Sequence, residues 1–221
     1  MTRNPTPPPL DQASPEDRIL AAATEEFAAN GFYGARTQAI ADAAGLNKAM
    51  LHYYFRTKEN LYGQVIKAAM KKILTQVGEA WLGKAPLKRR LIMVVDSYMD
   101  NYEQNPGFIK IILREVVDGG DRFRQIFREL RDEDLEAMGL GPAELVGRVS
   151  DELDLSPHEV IHLVLNIVGM CVISFTSPLL LEGLLDLDLS DFEGYLKQRR
   201  IAIKAMALAY LELIMGESTK E

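Results

Sequence analysis

Thr37-Gln-Ala-Ile-Ala-Asp-Ala-Ala-Gly-Leu-Asn-Lys-Ala-Met-Leu-His-Tyr-Tyr-Phe55 holds two short helical patterns that meet at Gly45. Ile40, Ala41 and Ala44 share one side of the first. Leu51 and Phe55, one turn apart on the second, are spaced to meet them in a small core. That leaves Lys48, Ala49, His52 and Tyr53 nearer the exposed side. Two helices bent around a glycine, the second loaded with outward polar and aromatic groups, read as a helix-turn-helix. In that unit one helix enters the major groove while the other crosses the backbone. Asn47 is placed to cap the second helix. Lys48 and Tyr54 suit phosphate contacts, and Met50 or Ala49 a thymine methyl. Phe55 is expected in the core, joined by at most one of Tyr53 and Tyr54.

The net charge of −7 argues at first against nucleic acid. Its distribution reverses the inference. Arg36, Lys48, Arg56, Lys58, Lys67, Lys71 and Lys72 stand against only Asp42 and Glu59 between residues 36 and 72, a local balance of +5. Residues 118–159 carry five basic and twelve acidic side chains, a balance of −7. A polyanion is drawn to the first region and repelled by the second.

The 221 residues suffice for a small domain joined to a medium one. No uncharged apolar run reaches the ~18 residues that span a bilayer, the longest being Leu163 to Phe175. The Pro-rich start lacks the apolar core of a secretory signal. The single Cys171 excludes an internal disulfide and fits a reducing cytosol. A cytoplasmic protein without membrane association is expected, and no cofactor is called for.

Residues 1–13 read as a disordered arm. Ser14-Pro15-Glu16-Asp17 opens a helix, with Ser14 as N-cap and Pro15 at the first position. Ile19, Leu20, Ala23 and Phe27 recur on one face until Asn30-Gly31. Residues 14–60 form the head. Thr57-Lys58-Glu59 then starts a longer helix with Leu61, Val65, Ile66, Ala69, Ile73 and Val77 on its buried side, ending near Gly83. Further helical patterns run over 87–104, 107–117, 121–138, 157–181 and 190–215, so residues 61–216 read as a helical body. No alternating strand pattern occurs, and the fold class is all-α.

The order and spacing of Ile19-Leu20-Ala-Ala-Ala, Phe27-Ala-Ala-Asn-Gly31, Ile40-Ala-Asp-Ala-Ala-Gly-Leu46 and Leu51-His-Tyr-Tyr-Phe-Arg-Thr-Lys-Glu-Asn-Leu61 resemble the TetR family of bacterial transcriptional repressors. The resemblance covers about Arg18 to Val65. It implies a homodimer that binds a palindromic operator in double-stranded DNA and is released by a small-molecule effector held in the body. It implies that Lys58 touches the DNA backbone and that Thr37 and Gln38 touch phosphate or base. Arg36 departs from the family's usual capping Ser or Thr: either Thr37 caps one residue later, or Arg36 reaches a phosphate itself. Met50 replaces a commoner small polar residue, which leaves the base preference open.

His158-Glu-Val-Ile-His162 matches the H-E-x-x-H pattern of zinc hydrolases, with Glu159 as base and Glu182 as a distant third ligand. That is the alternative function. Ser156-Pro157-His158-Glu159 is also a capping box, which accounts for Glu159 without catalysis. The sensor reading carries further. Its candidate ligand-binding residues are Trp81, Tyr98, Tyr102, Phe123, Phe127, His162, Asn166 and Met170, with His162 and Asn166 as the polar anchors among aliphatics. The last two long helices read as the dimer interface. One stripe comprises Val164, Ile167, Val168, Cys171 and Val172; the other comprises Ile201, Ala205, Leu208, Ala209 and Glu212.

Overall fold

The computed structural model describes residues 13–136, 140–186 and 188–218. The arm read at 1–13 therefore lies, but for Ala13, outside the described residues. Among the described residues the chain is wholly helical. In order come α1 (Pro15–Gly34), α2 (Thr37–Ala43), α3 (Lys48–Phe55), α4 (Lys58–Leu82), α5 (Leu87–Gln104) and α6 (Pro106–Val117). They are followed by α7 (Asp121–Glu129), a π-helical segment (Leu130–Leu135), α8 (Pro142–Leu153), α9 (Pro157–Thr176), α10 (Pro178–Leu185) and α11 (Phe192–Ser218).

Three departures from the sequence reading have local causes. The helix expected over 121–138 is α-helical only to Glu129. Beyond it Leu130 and Leu135 are both buried, and the wider π turn brings two residues five apart onto one side. The helix expected over 157–181 breaks at Ser177, because Pro178 offers no N–H to continue the ladder. An entire helix, α8, is missing from the sequence reading. Its signals were present: Gly141 then Pro142 at the first position, Glu144 in the first turn, and Leu145, Val149 and Leu153 four apart.

The chain divides into two compact units. The first comprises the described residues up to Ala69 together with Lys110–Ile126. Ile19, Ala23, Phe27, Ile40, Ala41, Leu51, Phe55, Leu61 and Ile66 form its core. The end of α6 and the start of α7 are fastened to it by polar links. Glu115, 2% exposed, accepts the Tyr62 hydroxyl at 2.8 Å and faces Arg122 Nε at 3.4 Å. Arg114 donates to the Ala29 carbonyl at 3.0 Å.

The second unit comprises Met70–Ile109 and Phe127 onward. In it α9 packs against α5, α8, α10 and α11, and α5 against α11. Arg200 on α11 meets Asp96, Asp100 and Glu103 on α5, and Lys204 adds a bond to Asp96 at 2.6 Å. Against expectation, α9 is long and apolar enough, by length and composition, to cross a bilayer. The sequence reading counted an unbroken apolar run, whereas its mean hydropathy of 1.8 absorbs His162 and Asn166. One side of α9 (Val160, Leu163, Ile167, Cys171, Ser174) is buried inside the unit, while Ile161, Leu165 and Ile173 on the other side are exposed.

Candidate nucleic-acid interface and body cavity

Between α2 and α3 the helix-turn-helix bends through a turn that only glycine occupies without strain. Gly45 sits at φ 64°, and a Cβ there would lie 2.7 Å from Arg18 Nη2. That guanidinium donates to the carbonyls of Ala44 at 2.5 Å and Gly45 at 3.3 Å, so α1 holds the end of α2 and the turn together. Arg18 belongs to no motif that the sequence displays. Its signal is positional, one residue ahead of the buried Ile19.

Asn47 caps α3 as expected, its side-chain oxygen accepting the Met50 N–H at 2.9 Å. Leu51 and Phe55 are buried beneath it, 3% and 2% exposed. Lys48, Ala49, His52 and Tyr53 are exposed, while Met50 and Tyr54 are half-buried. Tyr53 stands 66% exposed and meets the Tyr54 ring edge-on at 5.4 Å. On α2, Gln38 is exposed and donates to Asp42 at 2.8 Å; Thr37 is half-buried. The helix starts at Thr37 with no side-chain cap from either residue. Glu26 on α1 accepts the Arg36 N–H at 2.9 Å, which also sets a carboxylate by the positive end of α2.

The exit from α3 is strained. Arg56 adopts φ 60° and ψ −58°, and the Thr57 N–H donates to the Phe55 carbonyl at 2.6 Å. This is a γ-turn on the positive-φ side, rare for a residue with a side chain. Asn60 Nδ2 reaches the same carbonyl at 2.9 Å, and Thr57 Oγ1 caps α4 through the Asn60 N–H at 3.0 Å. The exposed Arg56 guanidinium lies 6.0 Å from the Tyr53 ring centre. Lys58 is half-buried, donates to the Tyr33 carbonyl at 3.2 Å and sits 5.1 Å from the Phe32 ring. Arg56 is a cation on this surface that the sequence reading counted but did not place.

In the second unit a cavity of about 140 Å³ opens among α4, α5, α8 and α9 and the segment before α8. Of the eight residues expected to bind a ligand, Trp81 and Tyr98 line it. Tyr102 is buried with its ring 6.2 Å from Tyr98, outside the lining, and burial raises its hydroxyl pKa. Phe123, Phe127 and Met170 are half-buried and also outside the lining. His162 and Asn166 are exposed on the outer side of α9, which overturns their reading as polar anchors. A stripe one turn apart marks a face but does not say which way it points. The rest of the lining is aliphatic and includes Pro142, Leu145, Val146 and Val149 from the unforeseen α8.

The same rotation of α9 corrects the first dimer stripe. Ile167 and Cys171 are buried within the chain, and burial pushes the Cys171 thiol up to about 12. On α11, Ile201, Ala205 and Ala209 are exposed, as are Met206 and Leu213. The zinc motif resolves as a cap. Glu159 accepts the Ser156 N–H and hydroxyl, both at 2.7 Å, and those bonds hold its carboxyl below the usual range. His158, His162 and Glu182 are exposed, and among the described residues no group of three or more His, Cys, Asp or Glu gathers to hold a metal.

Residues 19–65 match the family model described as bacterial regulatory proteins, tetR family. The chain is 27% identical over 180 residues to the HTH-type transcriptional repressor NicS of Pseudomonas putida, across 79% of this chain and 82% of that one. It is 43% identical over 70 residues to the HTH-type transcriptional regulator RutR of Escherichia coli, across 32% of this chain but only 28% of that protein. Among solved structures, FadR of Bacillus subtilis in complex with stearoyl-CoA is similar at a TM-score of 0.59 and 18% identity, over 90% of this chain and 97% of that one. The fatty acid degradation regulator FadR of Bacillus halodurans gives 0.61 at 14%, over 85% and 97%. At such identities the structures share the fold.

Proposed function

Since the chain belongs, through its head at residues 19–65, to the TetR family of bacterial transcriptional regulators, we propose that it is a cytoplasmic, homodimeric repressor released from a palindromic operator by a small apolar effector. The observation that carries this reading is the outward face of α3. Lys48, Ala49, His52 and Tyr53 stand exposed over a core of Leu51 and Phe55, with Arg56 at the helix end. Such a face fits the major groove, with Lys48, Tyr54 and Lys58 on phosphates, Ala49 or Met50 on a thymine methyl, and Arg36, Thr37, Gln38 and Asn47 along the backbone.

One head reads a short half-site, so affinity and palindromic recognition call for two copies. The exposed apolar sides of α9 (Ile161, Leu165, Ile173) and α11 (Ile201, Met206, Leu213) supply a surface for a second copy. NicS is named a repressor, and FadR of Bacillus subtilis was solved with a bound small molecule, which supports the sign and the sensing. A route for the signal exists in the chain itself. Helix α4 is continuous from Lys58, in the first unit, to Trp81 and Leu82, in the second. A ligand in the cavity touches α4 at Leu74, Val77, Gly78 and Trp81. It need only favour one placement of that helix over another to change DNA affinity.

The test is an electrophoretic shift on the DNA upstream of the chain's own coding sequence, together with sedimentation. The expected result is a shifted complex that weakens steeply with salt and a dimer at micromolar concentration. No salt-sensitive complex would remove the operator reading, and a monomer at that concentration would remove the dimer.

A further inference from the structure

The cavity of the second unit holds no chemistry for an ion. Among the described residues, Trp81 and Tyr98 are its only lining residues with a polar side-chain atom; all the others are Leu, Val, Ile, Pro or Gly. Several charged groups on or against the same helices are engaged by neighbours outside the lining. Buried Arg90 on α5 donates to the Trp81 carbonyl at 2.7 Å and to the Glu152 carboxylate at 2.9 Å, and Arg200 and Lys204 serve the acids of α5.

Size narrows the class further. The volume is about 140 Å³, and an aliphatic cavity of about 150 Å³ elsewhere stays dry and accepts one benzene. We infer that this cavity binds a neutral, compact apolar molecule on the scale of a singly substituted benzene, with the Tyr98 hydroxyl as its hydrogen-bonding anchor. The binding claim stands on the cavity alone. That such a molecule releases DNA rests on the regulator reading above.

Tyr98 is suited to that task because a tyrosine hydroxyl is a neutral donor and acceptor at ordinary pH, and burial only pushes its ionisation further up, to about 12. A carboxylate would surrender its water there and find no cation in the lining. A long acyl chain on coenzyme A exceeds the volume and brings a polyanion with it.

Toluene, phenol, benzoate and stearoyl-CoA, titrated calorimetrically into the full chain, test the inference. Toluene and phenol should bind one per chain, and benzoate at least ~100-fold more weakly. Tyr98→Phe should weaken phenol ~10-fold while leaving toluene within about twofold. Val146→Phe, which fills the space from α8, should abolish binding of both with the helical circular dichroism unchanged. Should that variant fail to fold, Val164→Phe at the partly exposed edge of the cavity does the same. Benzoate or stearoyl-CoA binding as tightly as toluene would overturn the proposal, as would silence from both neutral probes or undiminished binding to the filled variants. In a parallel shift assay, toluene that binds without releasing DNA overturns the effector role and leaves the ligand class standing. A chain that binds toluene but never shifts DNA loses the regulator reading instead.

Discussion

The head and the body of this molecule differ in what a function needs from a sequence. On the proposed reading the head would work through groups that stand out from its surface: Lys48, His52 and Tyr53 are exposed because Leu51 and Phe55, at fixed helical offsets, are not. The body, on the same reading, would work through a space. Its cavity exists where Val, Leu and Ile side chains from several helices stop short of one another, and no single residue marks it. A surface made of local offsets can be read along one helix. A volume belongs to several helices at once and is set by their packing.

One glycine from each region makes the contrast testable. At Gly45 a side chain would suffer both the positive φ and a collision with Arg18. Gly45→Val should destabilise the first unit by about 3 kcal/mol and abolish the DNA shift. At Gly147 on α8 an added Cβ meets nothing within 4 Å. Gly147→Ala should raise the chain's stability by roughly 0.5–1 kcal/mol through helix propensity, with DNA affinity unchanged. Chemical denaturation of both variants, followed by gel shifts, checks the pair. A Gly45→Val chain that still shifts DNA would break the claim that the head is fixed by its turn.

That contrast explains what was legible. Ser14, Asn47 and the Ser156–Glu159 box cap their helices as their residue types demand, because a cap involves only three or four consecutive residues. The faces of α1 and α3 follow from spacing alone. The rotation of α9 does not. His162 and Asn166 lie outside and Ile167 and Cys171 inside, because four neighbouring helices choose which side of an apolar helix to cover. The Glu26 bond to Arg36 and the Arg18 clamp span 10 and 26 residues, beyond any local pattern. Helix α8 was readable, and its glycine-rich lead-in obscured it.

The buried tyrosines of the body offer a second contrast, in alkaline solution. Tyr98 ionises near 10 in an unfolded chain and at about 12 when folded, through burial first and Cys171 second. Between those values the unfolded chain has released a proton that the folded chain keeps, so stability falls as pH rises. The full contribution is present below pH 10 and is lost by pH 12, a difference of about 3 kcal/mol. Tyr98→Phe should flatten that decline in denaturation midpoints measured between about pH 9 and pH 11.5. An equal slope in the variant would show that Tyr98 is not responsible.

Lys58 tests the head's electrostatics at a smaller scale. In the free chain its ammonium rests on the Tyr33 carbonyl and the Phe32 ring. Lys58→Ala should weaken binding to every DNA sequence by about tenfold and make the salt slope shallower by ~1. Lys88, paired with Glu212 in the body, is the control. Its removal should change neither quantity, and a matching loss there would mean that net charge matters and position does not.

Arg56 sharpens the comparison at its finest grain, because there the head holds strain that a neutral packing role would not require. A γ-turn with positive φ costs on the order of 1–3 kcal/mol for a residue with a side chain, and glycine would adopt it freely. The turn itself is secured by the Phe55 carbonyl, which accepts from Thr57 and Asn60 whatever occupies position 56. If Arg56 is kept for its cation, Arg56→Gly should leave the melting temperature unchanged or raise stability by up to about 1 kcal/mol, the relieved strain outweighing glycine's greater unfolded freedom. The same variant should bind operator DNA about tenfold more weakly, and Arg56→Lys should restore most of that loss. Stability and binding moving in opposite directions is the signature of a group retained for DNA. A fall in both would return Arg56 to the fold, with its stacking on Tyr53 as the structural cause.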